Sequence, residues 1–518
     1  MQPVVSIYLI AVVCSLAGAA CSGDQHVKPL SPKPHDAGGR EPMSGLGDAG
    51  DNPGLIDASN VAPIEDASAP QTTLVIEPAS DRIVVEATTP DAVQFMASLS
   101  GGAQSEVPVR WSSDHPELGS IDAKSGKFEP TGAAGSLTIT AKAGSLTTTR
   151  TIRIEVALKL EGDPDSGSMS GGAGGLGGVG GEGGGSKLAA GALRDALNAA
   201  PIDDAELRWL YPYDGTVWPR GLPAPLLQWQ HGAHAALAVK LHIEVEPSFR
   251  ADLYLGPPPG APVGQPIVRL PIPQAVWRNA LLSGTRMKVE LTVAASDGAG
   301  GYAAYRAKQN PTWTIAPTTL RGIVYYNSYG TKLAENFGGA KGGNGRFGGA
   351  TLAIQRDAFD PKLIAGGTTN DASGCRVCHV VSADGSLLIA QHDDNMVSSA
   401  YDLRDMNKER GFAAADRGKF GWAALSPDGT IALGNAGPPG SNPQNQTSLA
   451  ASALYKVSDG SVIATQGLSD FVTQAATPVF SPDGKKVAFN LWSGAGNGSI
   501  AANGGSLVAM DVDLASAH

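Results

Sequence analysis

The sequence predicts an all-β, multidomain protein made of two β-sandwiches and a C-terminal region of repeated hairpins. The chain has 518 residues, which exceeds the roughly 250–300 residues that one core can organise. Segments in which apolar and polar residues alternate, the period of a half-buried strand, recur from residue 73 onward. The 67 glycines and 36 prolines can supply many turns, so long helices are not expected to dominate.

The N-terminal segment predicts export. Residues Val4–Ala20 are uncharged, mostly apolar and end in small residues, which is typical of a secretory signal peptide (1–20). The run Leu16–Ala20 followed by Cys21 resembles the lipobox of bacterial envelope lipoproteins, and the resemblance implies a diacylglycerol on the Cys21 thiol. The alternative is cleavage after Ala19, which would leave a periplasmic or secreted protein without lipid.

No other stretch has the roughly 18 consecutive apolar residues that a spanning helix needs. Membrane attachment is therefore predicted only through the N-terminal lipid anchor. The predicted location is the periplasm, the outer membrane or the cell surface.

Two segments have compositions that do not support a packed core. Residues 21–72 are rich in Pro, Gly, Asp and Ser and predict a disordered tether. Residues 158–187 contain the run GDPDSGSMSGGAGGLGGVGGEGGGSK, whose glycines supply no side chains to pack, and predict a flexible linker.

Residues 73–157 predict the first sandwich. Ile152, Ile154 and Val156 alternate with polar residues, as expected of a strand with one buried face. The segment Val107–Pro116 (VPVRWSSDHP) resembles the bacterial Ig-like group 2 domain, which implies an Ig-like sandwich. We expect Trp111 to be a core residue, because buried aromatic residues anchor such sandwiches.

Residues 188–318 predict a second sandwich, because two further segments alternate in period two. The apolar positions of these two strands are Leu237, Val239, Leu241 and Ile243, and Met287, Val289, Leu291 and Val293. The opening segment Tyr211–Pro219 resembles the entry strand of Ig-like or fibronectin-type modules in envelope proteins.

Residues 319–518 contain a repeat of strand, S-x-D-G turn and strand. It occurs three times, in Cys378–Ala390, Trp422–Leu433 and Thr477–Phe489. These segments resemble the WD40-like repeats of TolB-type β-propellers, in which Asp-Gly closes the hairpin between blade strands. Propellers usually close with at least four blades, so three repeats predict a small or incomplete C-terminal β-propeller.

The chemical motif of the chain is Cys375-Arg376-Val377-Cys378-His379, which fits C-x-x-C-H. In this motif the two thiols attach to the vinyl groups of a haem and the adjacent imidazole binds the iron. Random placement of 4 cysteines and 9 histidines in 518 residues would give this spacing about once in two thousand chains. The motif followed by Val-Ser-x-Asp-Gly resembles a group of envelope propeller proteins with haem-type signatures in their first blade. The predicted cofactor is therefore haem c, held by Cys375, Cys378 and His379.

Two other interpretations of the motif stay open. Cys375 and Cys378 could form a small-loop disulfide, or they could hold a metal together with His379 and a remote carboxylate. If the iron takes a sixth ligand, the candidates in the sequence are His392 and Met396.

Two functions from different classes follow. The first is electron transfer or another haem-based redox role, with a redox partner docking on the propeller. The second is a non-catalytic envelope scaffold that binds a protein, peptide or glycan, in which the cysteines form a disulfide. The net charge of −11 disfavours nucleic acid as a partner. No G-x-S-x-G, H-E-x-x-H or P-loop signature occurs, and the sequence leaves open whether the protein is an enzyme.

Overall fold

The structure is a computed structural model, and it describes most of the chain from residue 72 onward. The described ranges are 72–100, 108–162, 186–257, 267–331, 333–334, 348–356, 358, 361–367, 374–392, 397–413, 418–436, 451–472, 474–492 and 506–515. The predicted signal peptide (1–20), Cys21, the predicted tether up to residue 71, most of the predicted linker and Met396 lie outside the described residues.

The described residues of the first region form nine strands that pack around a common core. The strands are β1 (Leu74–Glu77), β2 (Arg82–Val85), β3 (Val93–Gln94), β4 (Met96–Leu99), β5 (Arg110–Ser113), β6 (Gly119–Ile121), β7 (Lys127–Pro130), β8 (Gly135–Ala143) and β9 (Leu146–Glu161). Strand β8 pairs antiparallel with β5 and β9, while β3, β7 and β6 form a second sheet. Trp111 on β5 is 6% exposed, with its ring centroid 6.4 Å from that of Phe95. The prediction that Trp111 is a core residue is confirmed.

The second region adds ten strands and two helices. They are α1 (Ala192–Asn198), β10 (Ile202–Asp204), β11 (Arg208–Tyr211), β12 (Val217–Arg220), β13 (Leu226–Gln230), β14 (Ala238–Val245), β15 (Phe249–Leu255), β16 (Ile267–Pro271), α2 (Gln274–Leu282), β17 (Arg286–Ser296), β18 (Tyr302–Ala307) and β19 (Thr312–Thr319). On β14, Val239, Leu241 and Ile243 are fully buried, as their alternation predicts.

The two sandwich regions share a sheet and a core. Strand β9 pairs parallel with β15, from Val156 opposite Phe249 to Glu161 opposite Tyr254. The resulting 11-stranded sheet contains strands from both regions, and one apolar cluster runs through both. The pairing places residues 158–161, the start of the predicted linker, in a strand, because Leu158 continues the buried alternation of β9.

The C-terminal region contains four successive sheets. Their strands are β20 (Ile323–Thr331), β21 (Gly348–Gln355), β22 (Lys362–Ala365), β23 (Arg376–Val381), β24 (Leu387–His392), β25 (Ser398–Asp402), β26 (Lys408–Gly411), β27 (Gly421–Leu425), β28 (Ile431–Asn435), β29 (Ala453–Lys456), β30 (Val462–Ile463), β31 (Gln474–Phe480), β32 (Lys486–Trp492) and β33 (Leu507–Asp511), with helix α3 (Leu468–Phe471) before β31. Each sheet is an antiparallel meander, and β23, β27 and β31 lie side by side in that order as the inner strands of successive blades. The sheet β20–β22 precedes the three predicted repeats and carries no S-x-D-G turn.

The S-x-D-G turns are alike because the same residues make the same bonds. In each turn the serine hydroxyl donates to the aspartate at 2.6–2.7 Å, and the glycine has a φ of +67° to +73°. The three sets are Ser382, Asp384 and Gly385; Ser426, Asp428 and Gly429; and Ser481, Asp483 and Gly484. Glycine is required because this left-handed backbone strains other residues.

These observations establish an all-β, multidomain fold with two joined sandwiches and a propeller region. Within the part of the chain that the structure describes, no helix has both the length and the apolar character needed to cross a membrane.

Candidate functional site

The C-x-x-C-H motif lies at the start of β23, the inner strand of the second sheet of the propeller region. Val377 pairs with Gln391 and Val380 pairs with Ile389, so Cys378 and His379 together lie opposite a single residue of β24. This is a β-bulge, and Cys378 adopts a φ of +50°.

The bulge belongs to the propeller scaffold. Trp422 and Thr477 occupy the same position in the next two sheets, with φ values of +52° and +45° and the same shift of register. A left-handed conformation costs a non-glycine residue about 1–2 kcal/mol, and each sheet tolerates it at this point. The motif thus places Cys378 and His379 at a bend that the blades already possess.

The two thiols lie in one small apolar cluster. Cys375 is fully buried, Val377 is 1% exposed, and the half-buried Cys378 packs against both. The two sulfur atoms are not joined in a disulfide in this structure. The two cysteines that the sequence nominates therefore lie in one cluster.

His379 is held by strand β20 of the preceding sheet. Its Nδ1 lies 2.7 Å from Asn327 Oδ1, and its ring centroid lies 6.4 Å from that of Tyr325. Burial lowers the pKa of His379 to about 4, although a hydrogen bond with the Tyr325 backbone favours the charged form. The imidazole is therefore neutral at physiological pH, which is the form that binds iron.

Arg376, the residue after Cys375, fastens the start of β23 to the outer strands of its own sheet. Its guanidinium donates to the Tyr401 hydroxyl at 2.9 Å, to Glu409 at 3.1 Å and to the Cys375 carbonyl at 3.1 Å. Burial raises the pKa of Glu409, but Arg376 and the hydroxyl groups of Ser399 and Tyr401 outweigh burial, so the pKa lies below its usual value.

The proposed sixth ligands are placed differently from the other three residues. His392 is the register partner of Arg376 at the end of β24, and its Nε2 lies 2.7 Å from Ser399 Oγ and 3.8 Å from Glu409. Met396 lies outside the described residues. The roles of His392 and Met396 as iron ligands therefore stay predictions.

Within the described ranges, no group of three or more His, Cys, Asp or Glu side chains is placed to hold a metal ion.

The sequence analysis missed Asn327, although a signal for it exists. Strands β20, β24, β28 and β32 each carry three mostly apolar residues followed by an amide residue. The amides are Asn327, Gln391, Asn435 and Asn490. Aligning these four segments would have identified β20 as a blade strand and Asn327 as its equivalent amide residue.

Comparison with known proteins yields only distant similarity. No protein-family profile matches the chain, and no curated protein matches it. Among solved structures, TolB from Acinetobacter baumannii is 16% identical over 60% of this chain and 66% of its own, just under two thirds, with a TM-score of 0.24.

Two further solved structures are similar to about half of this chain. Human protocadherin-24 EC1-2 is 8% identical over 47% of this chain and 97% of its own, with a TM-score of 0.16. Domains 4 and 5 of the S-layer protein SbsC are 8% identical over 48% of this chain and 98% of their own, with a TM-score of 0.14. These scores are too low to assign a shared function.

Proposed function

We propose that the propeller region carries one c-type haem, which Cys375 and Cys378 would hold covalently and whose iron His379 would bind. A haem held in this way accepts and donates single electrons. The protein is then an exported redox protein, and its propeller surface docks a redox partner of the cell envelope.

One observation carries this proposal: the imidazole of His379, which contacts Asn327 through Nδ1, adjoins two thiols that share one cluster. With Nδ1–H donated to Asn327, the Nε2 lone pair is the one available to iron. The thiols of Cys375 and Cys378 supply the two attachment atoms. The donor set thus fits a c-type haem both in kind and in grouping.

Each neighbouring residue has a distinct task in this proposal. The Arg376 guanidinium donates a hydrogen bond to the carbonyl oxygen of Cys375, and the Thr351 hydroxyl donates one to the carbonyl oxygen of Arg376 at 3.2 Å. These contacts fix the part of β23 that precedes the bulge. Asn327 orients the imidazole of His379, which lies in the bulge.

A second candidate function is that of an envelope scaffold with a propeller binding module for a protein, peptide or glycan. The observation that favours it is the complete burial of Cys375, which is also typical of an inert structural cysteine. In that case the bulge at Cys378 serves only the fold, as it does at Trp422 and Thr477.

The two functions are separated by expressing the full chain with the cytochrome c maturation machinery. We expect the wild type to stain for haem on a denaturing gel and the Cys375→Ala, Cys378→Ala double variant to show no stain. The His379→Gln variant is expected to keep covalent haem and to change the iron spectrum, because it lacks the imidazole that would bind the iron. A wild type that never stains would favour the scaffold function.

We further propose that Cys21 is lipidated and anchors the protein to a membrane of the envelope. Two acyl chains would anchor the protein stably, and the polar residues that follow Cys21 would let the folded part extend away from the membrane. Intact-mass analysis of the membrane fraction is expected to show a lipid-modified N-terminal cysteine that is lost in Cys21→Ser. An unmodified N-terminus at Ala20 would contradict lipidation and leave the haem proposal unaffected.

A further inference from the structure

An amide side chain occupies one equivalent position in each of the four propeller sheets. Gln391, Asn435 and Asn490 each pair with the residue that precedes the bulge in the inner strand of their own sheet. Asn327 on β20 lies opposite a hydroxyl residue of the following strand, as Gln391 does. The four amides are therefore the same structural feature repeated.

At the junction between the last two sheets, this amide joins backbones. Asn435 Nδ2 donates to the Ala475 carbonyl at 3.0 Å, and the Ser452 hydroxyl donates to Asn435 Oδ1 at 2.6 Å. The Ala475 amide in turn donates to Ser452 Oγ at 2.8 Å. Here the amide fastens one sheet to the inner strand of the next.

At the junction that contains the motif, the amide contacts the imidazole instead. Asn327 Oδ1 lies 2.7 Å from His379 Nδ1 and 3.3 Å from the Thr351 hydroxyl. The inner strand of the third sheet carries Ala423 where the second carries His379. There the carbonyl oxygen of Gln391 has no hydrogen-bond partner among the described residues. At these two junctions, whether the amide oxygen has a hydrogen-bond partner therefore depends on the presence of the imidazole.

We infer that Asn327 is a positioning residue that fixes the tautomer of His379, with the proton on Nδ1 and the lone pair on Nε2 directed to an iron. An amide oxygen accepts a hydrogen bond and cannot donate one, so it selects the Nδ1–H form. The part of this inference that concerns iron rests on the proposed function. The part that concerns the tautomer does not.

The direction in which each substitution at Asn327 shifts the reduction potential of the haem follows from the group that accepts the hydrogen bond of His379. An anionic acceptor makes the imidazole a stronger electron donor and stabilises ferric iron. We therefore expect Asn327→Asp to lower the reduction potential relative to the wild type. Asn327→Leu removes the acceptor and is expected to raise it. A residue that only supports the fold would not give shifts of opposite sign.

The first experiment uses the full chain with both motif cysteines replaced by alanine, so that no haem is attached. Histidine is labelled with nitrogen-15, and long-range proton–nitrogen spectra at about pH 8, above the ordinary imidazole pKa of about 6.5, report the tautomer. The signals of His379 are assigned by their loss in His379→Gln. We expect the Nδ1–H tautomer in the parent and in Asn327→Asp, and a mixed or Nε2–H tautomer in Asn327→Leu.

The matched control is Asn490→Leu, the same change at the equivalent position of the last sheet, which is expected to leave His379 unaltered. An Nε2–H tautomer in the parent, or spectra unchanged in Asn327→Leu, would overturn the inference. If Asn327→Leu does not fold, the test is the reduction potential of haem-loaded Asn327→Asp. A reduction potential equal to that of the wild type would overturn the inference. If wild type takes up no haem while the tautomer depends on Asn327, the positioning role stands and the proposed function fails.

Discussion

Replacing Arg376 by methionine removes the cation that fastens the start of β23 to the outer strands of its sheet. The Arg376 side chain is 13% exposed and that of Glu409 is 41% exposed, with their nitrogen and oxygen atoms 3.1 Å apart. The guanidinium also donates to the buried Tyr401 hydroxyl at 2.9 Å. Methionine keeps much of the apolar stem, so the substitution isolates the charge and its hydrogen bonds.

The free energy expected to be lost in Arg376→Met lies between the values for an exposed and a buried ion pair. Exposed ion pairs contribute about 0.2–1 kcal/mol, and breaking a buried pair costs about 3–5 kcal/mol. Because the Arg376 side chain is mostly buried and that of Glu409 is partly exposed, we expect a loss of about 2 kcal/mol in the free energy of local opening. That loss corresponds to a rise of about 30-fold in the opening equilibrium.

Hydrogen exchange followed by mass spectrometry measures this opening in fragments that cover β23–β26. The matched control is Arg404→Met in the same sheet, which breaks a pair with Asp384 whose side chains are 66% and 37% exposed. The control is expected to change the exchange by about twofold, from about 0.5 kcal/mol. Equal effects of the two substitutions, or unchanged exchange in Arg376→Met, would refute the reasoning.

The same pair predicts a dependence on pH. The pKa of Glu409 is lower in the folded state than in the unfolded state, so its pairing stabilises the fold above the unfolded value of about 4.3. This contribution is lost as pH falls through the lower, folded-state pKa. A double-mutant cycle of Arg376→Met and Glu409→Gln is expected to show coupling at neutral pH and none once the carboxyl is protonated.

Two further predictions concern the fold. Gly429→Ala is expected to destabilise the propeller region more than Gly385→Ala, because an added Cβ at Gly429 would lie 3.1 Å from Leu387, whereas Gly385 has open space; equal shifts in urea midpoint would contradict this. Trp111→Ala is expected to cost about 3–5 kcal/mol in the free energy of unfolding, because the ring is buried beside Phe95. A loss below about 1 kcal/mol in urea unfolding followed by circular dichroism would place Trp111 outside the core.

Local patterns in the sequence predict much of the fold. The alternation on β9 and β14 predicts strands with one buried face, and the S-x-D-G turns predict the hairpins, because both signals lie within a few residues. The parallel pairing of β9 with β15 was not predictable in this way. It joins residues far apart in the chain, and its only local trace is the continued alternation at Leu158.

The candidate site was predicted in part. The spacing of Cys375, Cys378 and His379 identifies the motif, and the structure brings the two thiols into one cluster. The contact of His379 with Asn327 spans 52 residues and arises from the packing of two sheets, which no local pattern encodes. The full burial of Cys375 likewise depends on neighbours from distant parts of the chain.

Intact-mass spectrometry of the full chain under denaturing conditions tests the central claim most directly. For wild type produced with the maturation machinery, we expect the mass of the polypeptide plus one haem. The Cys375→Ala, Cys378→Ala variant is expected to show the polypeptide alone. A wild-type mass that lacks haem and is lower than the reduced polypeptide by a pair of hydrogen atoms would identify a disulfide between Cys375 and Cys378 and contradict the haem proposal.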